Sequence, residues 1–186
     1  MQSIPHTSQR NLSHLIIIDM QIKLASAMDA DAMQSVSKNC GILLQAAKLL
    51  DIPALYTEQY PRGLGATLSE LEAFLTDIPK VEKTTFSCSD EPKFKRHLTS
   101  DRPQLILAGM EAHICVLQTA LSLVGTNHQV FVVEDAIISR SPANKANAIQ
   151  RLLKAGCMIS NTESVVFEWL KVAEGDAFKQ ISRLIR

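Results

Sequence analysis

Short runs rich in isoleucine, leucine and valine alternate along the chain with longer stretches of helical period. That alternation marks β-α-β units and a parallel sheet. Strands are predicted near residues 14–19, 53–57, 79–82, 104–108, 129–134 and 157–160. Between them, 31–50, 67–75, 90–98, 112–125, 142–155 and 162–172 read as helical, with a C-terminal helix over 176–186. The runs HLIIID and QLILAG are almost continuously apolar, as expected of strands covered on both faces. In SPANKANAIQRLLKAG, Ser141 stands at an N-cap, Pro142 at the first helical position and Gly156 at the stop.

These elements predict an α/β domain of three layers, α/β/α and doubly wound. Its mostly parallel six-stranded sheet has the order 3-2-1-4-5-6. No repeat, low-complexity tract or linker interrupts residues 1–186, so one domain is expected, and a chain of this length can bury a full core.

Charge narrows the partners. Lysine plus arginine (19) balances aspartate plus glutamate (19) with no long basic run, so the footprint of a nucleic-acid or anionic-membrane binder is missing. A small neutral or modestly charged substrate fits better. The stretch MQSIPHTSQRNLSH is polar, and Asp19 breaks the apolar run behind it. It therefore reads as neither a signal segment nor a membrane span, and an intracellular, cytoplasmic protein is expected. Cys40, Cys88, Cys115 and Cys157 form no C-x-x-C pair and no zinc-like spacing with histidine, so free thiols are expected.

In this strand order, strands 1 and 4 are neighbours where the order reverses, and ligands bind outside the carboxyl ends there. Asp19 ends strand 1, and Cys115 follows strand 4. Lys83 ends strand 3, two inter-strand spacings or roughly 9–10 Å from strand 1, a gap a lysine can largely span. Singly, each residue has an ordinary explanation: a buried thiol, a turn aspartate, a solvated lysine. Together at one sheet edge they suggest chemistry. A thiol near a helix N-terminus and beside an ammonium is expected to have a depressed pKa. Cys115 is then a candidate nucleophile, with Asp19 as base and acid and Lys83 stabilising both. Backbone N–H groups of Glu111 and Cys115 could meet a developing oxyanion.

The segments IIIDMQ, VEKTTFS and LILAGMEAHICV, in that order and spacing, resemble the three signature segments of the isochorismatase-like cysteine hydrolases. The resemblance covers nearly the whole chain. It implies an Asp–Lys–Cys triad that forms a covalent cysteine intermediate on amides or related bonds, at Asp19, Lys83 and Cys115. It also implies a non-proline cis peptide at Met110–Glu111. Nicotinamidase-like members carry an Asp-x-His segment and a further histidine after strand 2 as metal ligands. Here that stretch reads YTEQYPRGLGAT, with no histidine, and Glu58 alone makes no site, so no metal and no cofactor are expected. The TEQYP and GLG wording resembles the isochorismatase-domain-containing branch.

Gln59, Tyr60 and Leu64 are candidates for the pocket wall, and Gln21, Phe86 and His113 for pocket or packing roles. Gln21 could equally be a polar loop residue, and His113 part of a solvated helical face. Phe167 and Trp169 read as core or a subunit contact. The family often assembles, so a homo-oligomer is expected. Two other readings compete with hydrolysis. A receiver-like signalling module needs an acidic pair near strand 1, which is missing here. An inactive scaffold or redox sensor of hydrolase ancestry would have Cys115 oxidised rather than acylated.

Overall fold

The computed structural model describes residues 6–126 and 128–185. The expectations for residues 1–5 of the polar N-terminal stretch and for Arg186 at the end of the last helix lie outside the described residues.

In chain order the elements are β1 (Ser13–Ile18), α1 (Ile22–Ala25), α2 (Ala30–Leu49), β2 (Ala54–Gln59), α3 (Pro61–Leu64), α4 (Ser69–Leu75), β3 (Lys80–Lys83), α5 (Pro92–Lys95), β4 (Gln104–Met110), α6 (Leu117–Val124), β5 (Gln129–Ile138), α7 (Pro142–Lys154), β6 (Met158–Ser160), α8 (Thr162–Leu170) and α9 (Gly175–Leu184). A 3₁₀ turn over Cys88–Asp90 precedes α5, and a π-helical turn over Ala112–Val116 leads into α6. The strands form one six-stranded sheet in the order β3-β2-β1-β4-β5-β6, and every pairing is parallel. The topology read from the apolar runs is therefore the one observed.

Burial follows the two-residue period of the strands. Leu15 and Ile17 of β1, with Ile106 and Ala108 of β4, join the core under α2, α8 and α9. Ile16 and Ile18, with Leu105 and Leu107, point the other way into the core under α6 and α7. Both faces of β1 and β4 are thus dry, which accounts for their unbroken apolar sequence. Trp169 fastens α8 to the sheet, with its indole Nε1–H donating to Ser13 Oγ at 2.9 Å.

Helix ends follow local chemistry in part. Asp29 caps α2, its carboxylate accepting from the Ala32 N–H at 3.0 Å. Pro142 does open α7, but the Ser141 side chain makes no capping bond. The expected helix over 90–98 is reduced to the 3₁₀ turn and the single turn of α5. The strand expected to end at 134 runs on to Ile138. From Leu107 to Gly109 β4 advances two residues, while its partners Val132 to Ile137 advance five, so β5 carries a bulge around Glu134 and Asp135. The bulge puts Asp135 to use: its Oδ1 accepts from the N–H and hydroxyl of Thr162, both at 2.8 Å. Gly109 sits beside that irregularity with φ 116°, and a Cβ there would overlap the backbone of Ile18. Only glycine lets β4 pass so close to the end of β1.

Candidate active site

Three strand ends converge at the carboxyl edge of the sheet. Asp19 directly follows β1 and is wholly enclosed. Its backbone is left-handed, φ 51°, a conformation aspartate tolerates better than most residues but which still costs about 1–3 kcal/mol. Thr57 of β2 holds it. The Asp19 N–H donates to Thr57 O at 3.1 Å and Thr57 Oγ1 at 3.3 Å, and the Thr57 hydroxyl donates to Asp19 Oδ1 at 2.6 Å.

The other carboxylate oxygen takes Lys83. Lys83 Nζ lies 2.6 Å from Asp19 Oδ2, and neither side chain is exposed. The same ammonium donates to Gln59 Oε1 at 2.7 Å, and the carbonyls of Thr85 and Phe86 lie at 3.2 and 3.3 Å. Three N–H bonds thus face four acceptors, so the cation is fully engaged. Burial alone would lower the Lys83 pKa, but Asp19, with Cys88 and Cys115 behind it, outweighs burial and raises it.

Cys115 sits in the π-helical turn at the head of α6 and is 6% exposed. The turn's signature bond is Val116 N–H to Glu111 O at 3.3 Å, five residues back. Such π turns inside helices are frequent at functional sites. The peptide bond entering the turn, Met110–Glu111, is cis. The Asp19 carboxylate acts electrostatically on the thiol. Its pKa is raised, first by burial and then by the Asp19 carboxylate, and Lys83 only partly offsets them. This corrects the expectation of a depressed value: helix terminus and ammonium are present, but desolvation and a neighbouring anion win. At neutral pH the resting group is a thiol, not a thiolate.

The remaining candidates have distinct positions. Gln21 is wholly buried, and its amide is spent within the chain: Oε1 accepts from Gln59 N–H at 2.7 Å, and Nε2 donates to Gln59 O and Gly65 O at 3.0 and 2.7 Å. It clamps the loop after β2 to β1. Gln59 holds Lys83 and donates to Thr84 O at 2.8 Å. Tyr60 and Phe86 are more than half exposed beside these groups, and Leu64 is half-buried in α3. His113 is half-buried rather than on a solvated face: its Nδ1 lies 2.9 Å from Ser139 Oγ and its Nε2 3.4 Å from Asn144 Nδ2. The Glu111 carboxylate is engaged by Arg140, accepting from its N–H and Nε at 3.1 and 3.2 Å. Glu58 is equally occupied, by both donors of Thr67 at 2.8 Å and by Lys80 at 3.1 Å. Among the described residues no group of three or more histidine, cysteine, aspartate or glutamate side chains could hold a metal ion.

Sequence reasoning passed over Thr57, Ser139, Arg140, Asn144 and Cys88. Cys88 is fully buried with Sγ 4.0 Å from Thr57 Oγ1, and its backbone N–H is tied to Thr119 Oγ1 at 2.9 Å. Thr57 carried a usable signal: in a parallel register with Ile17 opposite Tyr56, it is the β2 residue level with the end of β1.

The model of the isochorismatase domain matches residues 13–164 of this chain. The chain belongs to the isochorismatase family. It is 37% identical over 177 residues to isochorismatase domain-containing protein 2 of Bos taurus, covering 94% of this chain and 83% of that one. It is 38% identical over 160 residues to the secreted isochorismatase effector Isc1 of Phytophthora sojae, covering 83% and 76%. Among solved structures, the MAR1 ribonuclease of Caenorhabditis elegans superposes with a TM-score of 0.90 at 33% identity, covering 96% of this chain and 92% of that one. This family of isochorismatase-like hydrolases thus accounts for the fold. Among the described residues no helix of this member is long and apolar enough to cross a membrane, and all four cysteines are free and buried.

Proposed function

We infer that the chain is a metal-independent hydrolase of small amides, imides or related C–N or C–O bonds, working through a covalent thioester-type intermediate on Cys115. The single observation that carries this reading is the enclosed Asp19–Lys83 pair at the sheet edge where the turn after β4 places Cys115.

Because the resting sulfur is protonated, activation is concerted with attack. Cys115 Sγ adds to the substrate carbonyl carbon while its proton passes to Asp19. Lys83 keeps the carboxylate oriented. The oxyanion that forms is met by the N–H groups of Glu111 and Cys115. Collapse breaks the C–N bond, and the leaving amine takes the proton from Asp19. Water then attacks the thioester, gives a proton to Asp19, and the acid is released as Cys115 regains that proton. The donor set argues against a metal step: Glu58 is saturated by Thr67 and Lys80, and no histidine stands on the loop after β2.

The test is a screen of small amides by amine release, with intact-protein mass spectrometry for an acyl adduct. An adduct on Cys115 and no turnover in Cys115→Ala support the reading; turnover retained in that variant overturns it. The C. elegans neighbour is described as a ribonuclease, so RNA belongs in the same screen, and cleavage of RNA alone would replace the small-substrate reading. The raised thiol favours one second reading, an inactive descendant of the family, over a redox sensor, whose cysteine would be an exposed thiolate. It predicts no acyl adduct with any amide and no sulfenate on Cys115 under hydrogen peroxide. Assembly into a homo-oligomer, through the exposed Phe167 and Val172 around α8 and α9, completes the proposal and is read by light scattering.

A further inference from the structure

Seven large apolar side chains are exposed among the described residues, and three of them stand at the active-site edge: Ile22 at 52%, Tyr60 at 54% and Phe86 at 56%. Their placement is regular. Each follows, by three residues or fewer, a polar residue of the buried cluster: Ile22 after Asp19, Tyr60 after Gln59, Phe86 after Lys83. Two of them are tied to Lys83, with Tyr60 N–H donating to Lys83 O at 2.8 Å and the Phe86 carbonyl 3.3 Å from Lys83 Nζ. Leaving three such groups in water at the mouth of one site is unfavourable unless something apolar covers them there.

Tyr60 is more than an incidental member. Its backbone is left-handed, φ 37° and ψ 65°, which is an outlier for a bulky aromatic residue. The Cδ1–Cε1 edge of its ring packs against Gly63, where a Cβ would overlap those two carbons. A strained backbone and a missing side chain three residues on together fix the ring in one place. That is a built surface.

Charge points to what lies on it. The Lys83 ammonium is saturated, Arg140 is committed to Glu111, and Lys23 Nζ is on the Gly63 carbonyl at 2.7 Å. Lys83 and Lys23 are thus engaged by the chain itself, and Arg140 gives its Nε–H to Glu111. Arg62, exposed on α3, is the neighbouring cation with no partner among the described residues.

We propose that Tyr60, backed by Gly63 and flanked by Ile22 and Phe86, is a specificity-determining platform for substrates with an uncharged aromatic or branched aliphatic body next to the scissile amide. The proposal rests on the hydrolase reading for the word substrate, but the platform is tested by binding alone. Benzamide, acetamide and 4-carboxybenzamide are titrated by calorimetry against the Cys115→Ala protein and against the same protein carrying Tyr60→Ala, Tyr60→Phe or Gly63→Ala. Benzamide should bind roughly tenfold or more tighter than acetamide, since a phenyl ring leaves water on the platform. The preference should vanish in Tyr60→Ala and Gly63→Ala and persist in Tyr60→Phe. Should Gly63→Ala fail to fold, the two Tyr60 variants decide.

Equal affinities, no benzamide binding, or a preference unchanged in Tyr60→Ala would each overturn it. So would tightest binding of 4-carboxybenzamide, lost in Arg62→Ala, which would mark an anionic substrate instead. A preserved benzamide preference with no turnover of any amide would defeat the hydrolase reading and leave the platform standing.

Discussion

Lys83 Nζ and Asp19 Oδ2 meet at 2.6 Å in a place water does not reach, although their strands are separated by the whole width of β2. A buried pair of this kind is a weak source of net stability, but removing one partner strands the other charge, at a cost of about 3–5 kcal/mol. Lys83→Met should therefore lower stability by about that amount in urea unfolding, and Asp19→Asn added to it should recover a large part. The alkaline limb is a second check. The Lys83 pKa is raised above its ordinary 10.5, so its contribution is complete below that value and is lost as pH climbs through the folded-state pKa. Wild-type stability should thus fall above pH 10.5 with a slope that Lys83→Met lacks.

Cys115 is expected to react slowly with iodoacetamide at neutral pH. Burial and Asp19 push its pKa above the ordinary 9.0, so the alkylation midpoint, followed by peptide mass spectrometry, should lie on the alkaline side of that value. Asp19→Asn removes the neighbouring anion and should move the midpoint down, while lowering any turnover. Faster alkylation together with lowered turnover separates a base from a mere neighbour. A wild-type midpoint below pH 9.0 would contradict the geometry.

In the proposed mechanism Thr57 is a positioning residue for Asp19. Its hydroxyl is the donor to Asp19 Oδ1 at 2.6 Å, inside the protein. Thr57→Val keeps the shape and leaves a buried acceptor short of a donor, at about 1–3 kcal/mol. It should also lower kcat more than it raises KM, because the carboxylate loses its orientation rather than the substrate its contacts. Thr57→Ser should restore both. A KM effect with kcat intact would place Thr57 in the substrate pocket instead.

What could be read from the chain alone follows from the geometry of a parallel sheet. Strand direction sends Asp19, Lys83 and the Cys115 turn to one edge, and the order 3-2-1-4-5-6 brings them side by side, so apolar runs and loop positions suffice to gather them. The one-turn helices α1 and α3 were invisible because four residues are too few to show a period. The β5 bulge was hidden by Glu134 and Asp135, which look like a strand end until Asp135 is seen bonding Thr162. The direction of the Cys115 shift was the deepest omission. Helix terminus and lysine are local features of sequence, but desolvation depends on how many neighbours close over the sulfur, and that is a property of the packed molecule.

His14 gives an acid-side prediction independent of the active site. It is the second residue of β1, at the opposite, amino edge of the sheet, 4% exposed, with Nδ1 enclosed and unpartnered. Burial first, then His97 and Arg102, lower its pKa from 6.5 to about 4, with Asp101 opposing them. A group depressed on folding supports the fold above its unfolded value and withdraws that support as pH falls. Stability should decline from pH 6.5 and level off near pH 4, by about 3 kcal/mol at roughly 1.4 kcal/mol per unit. His14→Leu removes the titrating group and should flatten that window, leaving carboxylate losses at lower pH in place. Urea unfolding of both proteins between pH 7 and pH 4 reads the difference directly; parallel curves would mean that His14 reaches a proton partner, or water, in the folded state.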